Sequence, residues 1–311
     1  MSDLAPIIDA LRLAGEDPSQ VLTEDTAHLL AYDHQIVGQQ SIPGVIVLAR
    51  TEQNVIKAQV TIMEGFIIAQ PIHLCFTLLD RFGGQNVELD LTVQPGASAT
   101  VWSHCLFAHA ERAFHAMQAQ VHIQEKASLR YQESHYHGMY GGIEVRPRAT
   151  IRLDKEARYR SDFSLVQGRV GLLDVDYVID VGTDAVAELT SRVYGHITDK
   201  IRMREQINLE GERARGLIKS RIAVEDEATA QVIGIMHGNA AGARGHVDCL
   251  EIVRGQGVVS AIPEVQVSHP QAKVTHEAAI GGVDPKQLET LLARGLEPDE
   301  AVDRIILGML A

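Results

Sequence analysis

The chain has 311 residues, a formal net charge of −13, and 45% hydrophobic against 22% charged residues, which is the composition of a folded globular protein with length for one large or two ordinary domains. The acidic balance, with no long basic run, argues against nucleic acid as a partner, because phosphate binding needs a basic patch. No run of about 18 apolar residues offers a membrane span.

The opening stretch, MSDLAPIIDALRLAGED, predicts a short amphipathic helix and lacks the basic start and apolar centre of a secretion signal. Residues 1–35 are therefore expected to form an N-terminal helical segment of a cytoplasmic protein. Three cysteines, Cys75, Cys105 and Cys249, with no CxxC, suit free thiols in a reducing compartment. Aromatics make up only 5%, so the core must be built from Val, Ile, Leu and Ala.

From about residue 85 to 270 the apolar period is two, which marks half-buried strands. VELDLTVQPGASATVWSHC, QAQVHIQEKASLRYQESHYH, RATIRLDKEARYRSDFSLV, DYVIDVGTDAVAELTSRVYG and QINLEGERARGLIKSRIAV share one plan of strand, polar turn with a small residue, and strand. The turn alanines fall at Ala97, Ala127, Ala157, Ala185 and Ala214, at intervals of 30, 30, 28 and 29 residues. A sandwich has no reason to keep such a beat, whereas stacked units do. The expectation is a mainly β protein, a parallel β-helix, with its core over residues 36–275.

Beyond that core, residues 276–311 are expected to form a C-terminal helical segment. In VDPKQLETLLARG, Asp284 is placed as N-cap, Pro285 at the first helical position and Gly295 at the C-cap. EPDEAVDRIILGML follows, with Ala301, Ile305, Ile306 and Met309 on one face. These two helices would cover the open end of the solenoid, dock a partner, or both.

Several residues can carry chemistry. Cys105 lies near His104, His109 and His115, and a nearby imidazolium lowers a thiol's pKa; the competing reading is a small buried hydrophobe. His135 and His137, in ESHYHGMYGG, share a strand face and can bind metal, though a solvated polar face is the simpler reading. Cys75 reads as core. Cys249 is flanked by His246 and Asp248. In KVTHEAAIGG, His276 stands beside Glu277, but Ile280 occupies the place where a zinc-protease helix needs its second histidine. Cys249, His276 and Glu277 form a thiolate, imidazole and carboxylate set suited to iron or zinc. The 27 residues from Cys249 to His276 are about one repeat, so neighbouring rungs can bring them together.

The segments ARGHVDC, AIPEV, THEAAIG, QLETLLARGL and EAVDRIILGML, in that order, resemble the C-terminal part of the SufB/SufD family of iron–sulfur cluster assembly, and PGASATVWSHC through ASLRYQESHYH resembles its central region. The resemblance implies a right-handed parallel β-helix with flanking helices. It also implies a SufC-type ABC ATPase bound through the C-terminal helices, an ATP-driven change that exposes the assembly site, and paired β-helices. Cys105 matches the position that accepts sulfur from a cysteine desulfurase or other donor. It should then be reachable and partly deprotonated near neutral pH. His276 and Glu277 match a histidine and a carboxylate beside a transient iron–sulfur cluster. Cys249 falls within one residue of the family's second functional cysteine, where a gapless pairing puts Asp248. The expected function is a SufB-like scaffold, compact and working as a homodimer, and not an enzyme, since no Walker A pattern is present. The alternative is a SufD-like structural or regulatory partner of the ATPase that holds no cluster. A polysaccharide-acting solenoid is disfavoured by the few aromatics.

Overall fold

A computed structural model describes residues 4–311. The chain opens with α1 (Ala5–Leu13) and α2 (Pro18–Val21). Two antiparallel hairpins follow, β1 (His28–Tyr32) with β2 (Gln35–Gln40), and β3 (Val45–Glu52) with β4 (Val55–Ile62). Thereafter the strands alternate between two parallel sheets. One takes β5 (Ile72–Thr77), β7 (Ser98–Phe107), β9 (Ser128–His137), β11 (Arg158–Gln167), β13 (Val186–Gly195), β15 (Arg215–Val224), β17 (Arg244–Val253) and β19 (Lys273–Gly281). The other takes β6 (Phe82–Val93), β8 (Arg112–Ile123), β10 (Ile143–Leu153), β12 (Gly171–Val181), β14 (Lys200–Leu209), β16 (Thr229–Gly238) and β18 (Val258–Val267). This is a mainly β fold, a two-sheet solenoid of parallel rungs. β19 runs through residues 276–281, so the strands extend beyond the core boundary expected at 275.

The 30-residue beat has a backbone cause. Gly96, Lys126, Glu156, Asp184, Arg213 and Gly242 each have φ between 56° and 69° and each precedes a fully buried alanine. The alanine N–H closes the turn on the carbonyl three residues back, as in Ala127 to Gln124. The N–H of the left-handed residue bonds onward to the next turn, as in Lys126 to the carbonyl of Lys155. Only a small side chain fits the inside of that corner, which explains the repeating alanine.

Strand side chains alternate between faces, and the inner faces of both sheets form one core running the length of the solenoid. Both helical segments pack on the outer face of the same sheet. α1 and α2 cover Leu30, Cys75 and Leu106 near one end. Near the other end α4 (Pro298–Met309) packs Ile306 on Tyr194, Ala223 and Ile252, and Arg254 pairs with Asp299 and Asp303 at 2.8 and 2.7 Å. α3 (Pro285–Leu292), capped by the Asp284 carboxylate as expected, buries no side chain. The tail therefore lies against a sheet face and leaves the end of the solenoid open. β18 and β19 are the uncovered last strands, with Val258, Ile262, Val267 and Ile280 exposed. No helix among the described residues is long and apolar enough to cross a membrane.

Candidate functional site

Cys105 points into the core from β7, and Cys75 points out of the same sheet beneath α1. Both are completely buried, and burial pushes both thiols up. This differs from the reachable, partly deprotonated Cys105 expected from its histidine neighbours. The three neighbours separate by strand geometry. His104 faces outward and meets His73 at 3.2 Å, His109 is exposed in the β7–β8 connection, and His115 crosses from β8 to bring Nε2 within 3.9 Å of the Cys105 sulfur. Burial holds His115 neutral, with its pKa down to about 3.

His135 and His137 are inside the solenoid, not on a solvated face. Cys105 and His135 are register partners, and Glu133 shares their inward phase. The Cys105 sulfur, a Glu133 oxygen and a His135 nitrogen lie within 4.8 Å of one another, a potential metal-ligand group among the described residues. His135 Nε2 is 2.9 Å from Glu133 Oε1, His135 Nδ1 is 3.3 Å from His137 Nε2, and Tyr177 donates to Glu133 Oε2 at 3.0 Å. Glu133 escaped the sequence reading, although its phase with Leu129 and Tyr131 marks it as an inward carboxylate.

Near the open end, Cys249 faces inward from β17, buried, with its thiol pushed up to about 11 by burial. Ser220 is its register partner. Ser220 donates to Glu251 at 3.0 Å and Ser191 to Glu205 at 2.5 Å, and burial raises both carboxyls to about 7. Neither acid was singled out from sequence. β19 pairs with β17 so that Val247 meets His276, Asp248 meets Glu277 and Cys249 meets Ala278. His276 therefore shares the inner face of Cys249, one position along, whereas Glu277 shares the outer face of Asp248. Asp248 is engaged by Arg221 at 2.6 Å. His276 and Glu277 are both exposed, on the last strand. The neighbouring-rung placement of Cys249 and His276 thus follows the repeat, while His276 and Glu277 diverge.

The two inward thiols belong to one sheet. A single register column runs Ser103, Glu133, Phe163, Ser191, Ser220, Cys249, Ala278. Cys105 sits one inward position from it. β7 and β17 are five strand spacings apart, about 24 Å at about 4.8 Å each.

Residues 80–309 match the family model described as SUF system FeS cluster assembly, SufBD core domain. An iron-sulfur cluster assembly SufBD family protein of Methanocaldococcus jannaschii is 36% identical over 99% of this chain and 98% of its own length. One from Pyrococcus horikoshii is 32% identical over 98% of this chain and 92% of its own. A relative from Archaeoglobus fulgidus is 25% identical over 80% of this chain and 66% of its own. With most of its length matched by the family model and nearly all of it by the first two relatives, the chain belongs to the SufBD family of iron–sulfur cluster assembly proteins.

Proposed function

We propose that this SufBD protein is a SufB-like scaffold. It accepts sulfur at Cys105, receives iron, and builds a transient iron–sulfur cluster with Cys249, His276 and Glu277. It works as a homodimer with a SufC-type ABC ATPase docked on the C-terminal helices. What supports this reading is the inner face of one sheet: two inward thiols, with Glu133, Ser191 and Ser220 between them around the apolar Phe163, the second thiol one strand from an open end. A cysteine desulfurase would present a persulfide. The Cys105 thiolate attacks its outer sulfur, and the donor cysteine leaves as a thiolate. Because Cys105 is fully buried, that step needs the solenoid to open, and the ATPase supplies the work. α3, which buries no side chain, leaves a face for the ATPase. The uncovered β18 and β19 offer unpaired edges to a second copy, which would bring the outer-face Glu277 to the seam.

The test is anaerobic reconstitution with iron and sulfide, read by visible absorption. Wild type should gain a cluster chromophore. Cys249→Ser, His276→Ala and Glu277→Ala should lose it while still taking sulfur from a desulfurase, and Cys105→Ser should show the reverse. Normal sulfur uptake by Cys105→Ser would remove the first step of the mechanism. The burial of Cys105 favours a second reading, a SufD-like partner of the ATPase that holds no cluster. A colourless protein that still binds the ATPase would establish it.

A further inference from the structure

The hydrogen bonds around Cys105 fix where protons can sit. Gln85 donates its amide N–H to the carbonyl of Asp33, so its Oε1 is the atom facing His115 Nδ1 at 3.0 Å. That oxygen only accepts, so His115 Nδ1 carries the proton and Nε2 presents a lone pair to the Cys105 sulfur. The same logic runs along β9. His137 Nδ1 lies 3.2 Å from the carbonyl of Arg169 and must donate to it. In the tautomer with Nδ1 protonated, His137 offers a lone pair at Nε2. His135 Nδ1 then donates across the 3.3 Å gap, which turns His135 Nε2 toward Glu133. That nitrogen points at Glu133 Oε1 from 2.9 Å, while the other carboxylate oxygen already accepts from Tyr177. The Glu133 oxygen and the His135 nitrogen thus face each other at 2.9 Å in a dry interior, with the Cys105 sulfur within 4.8 Å of both, an arrangement that a proton or a metal ion can bridge.

We infer that Cys105, Glu133 and His135 form a binding site for one divalent transition-metal ion of the zinc or ferrous class, with His115 beside the sulfur. The donor set is one thiolate, one carboxylate and one imidazole, the mixture that borderline metals select. In a tetrahedral site with bonds of about 2.3 Å to sulfur and 2.0 Å to nitrogen, ligand atoms stand about 3.5 Å apart. The His135 to Glu133 gap is 2.9 Å, and the Cys105 sulfur lies within 4.8 Å of both, so small side-chain shifts reach that spacing. Thiolate and carboxylate together offset the ion's two charges, so no net charge is buried. The far nitrogens of both histidines are held by Gln85 and His137, the second layer of support that metal-ligating histidines carry. Phe107 and Phe163, both fully buried, pack on His137 and His135 at centroid distances of 5.0 and 5.1 Å and close the site to water. The site lies apart from the Cys249 end and shares Cys105 with the scaffold reading, and metal retention and sulfur uptake are measured separately so that either can fail alone.

The experiment uses the full chain, purified anaerobically from cells grown with cobalt or zinc, and again after unfolding and refolding with Co2+. One metal per chain is expected. The cobalt form should show a thiolate-to-cobalt charge-transfer band and the strong visible bands of a tetrahedral centre. Cys105→Ser should lose the charge-transfer band, and Cys249→Ser should keep it. Glu133→Gln is the fold control. Its amide N–H can donate to the His135 lone pair and its oxygen can still accept from Tyr177, so it should retain the wild-type circular dichroism while metal occupancy falls by about tenfold or more. Absence of stoichiometric metal from both preparations would overturn the inference and assign the cation between Glu133 and His135 to a proton. A thiolate band that survives Cys105→Ser and vanishes in Cys249→Ser would overturn it as well.

Discussion

Replacing Glu205 with Gln should make the protein more stable as pH rises. Glu205 projects from β14 into the solenoid and is 2% exposed, with the Ser191 hydroxyl donating to it. Burial disfavours its ionised form and moves the carboxyl from 4.5 to about 7. A group held more protonated in the fold than in the unfolded chain contributes fully below its unfolded pKa. That contribution falls as pH rises from about 4.5 and is gone once pH passes about 7. The displacement corresponds to about 3 kcal/mol, an order-of-magnitude figure. Glu205→Gln keeps an oxygen for Ser191 and cannot ionise. Urea unfolding of both proteins at a series of pH values isolates this one group, because the other titrations cancel in the difference. The variant's advantage should grow by about 3 kcal/mol between about pH 5 and pH 8. A difference that stays flat across that window would refute the assignment of Glu205 as a buried, proton-retaining acid.

Iodoacetamide at neutral pH should leave Cys75 and Cys105 unmodified in the folded protein, since both are fully buried; mass spectrometry after a brief pulse checks this, and adding a SufC-type ATPase with ATP should open Cys105 first. Deleting residues 284–311 should abolish co-purification with that ATPase while circular dichroism still reports the β-fold. Ile197, exposed and held at φ 57°, is a β-branched residue in a left-handed conformation. Ile197→Asn should raise stability by about 1 kcal/mol, read as a higher urea midpoint.

The solenoid was legible because a corner that admits only a methyl group leaves the same letter at every turn: Ala97, Ala127, Ala157, Ala185 and Ala214. The residue before each alanine carries the unusual φ, yet it is glycine at Gly96 and Lys, Glu, Asp or Arg at the next four, so it leaves no common letter. The site was less legible because phase was not carried through the strands. In SLRYQESH, Leu129 fixes the inward phase, and Tyr131, Glu133 and His135 inherit it. In KIRMREQINL, Ile201, Met203 and Ile207 place Glu205 inside. A charged residue in the apolar phase of an alternating strand was the available signal. The same rule separates His276 from Glu277, adjacent in sequence and on opposite faces. The tail's position could not be read this way, because an amphipathic helix specifies that it is covered, not which surface covers it.

The onward hydrogen bond from the left-handed turn residues 96, 126, 156, 184 and 213 to the turn that follows makes the solenoid a ruler with fixed graduations. A chain change that adds or removes one whole turn leaves every other inward side chain inward. It moves Cys105 and Cys249 relative to each other by one strand spacing, about 4.8 Å, and by no smaller step. A single-residue insertion in a strand between them instead turns the remainder of that strand inside out. The separation of the two thiols is therefore adjustable only in units of a complete repeat, and their shared orientation survives each such adjustment.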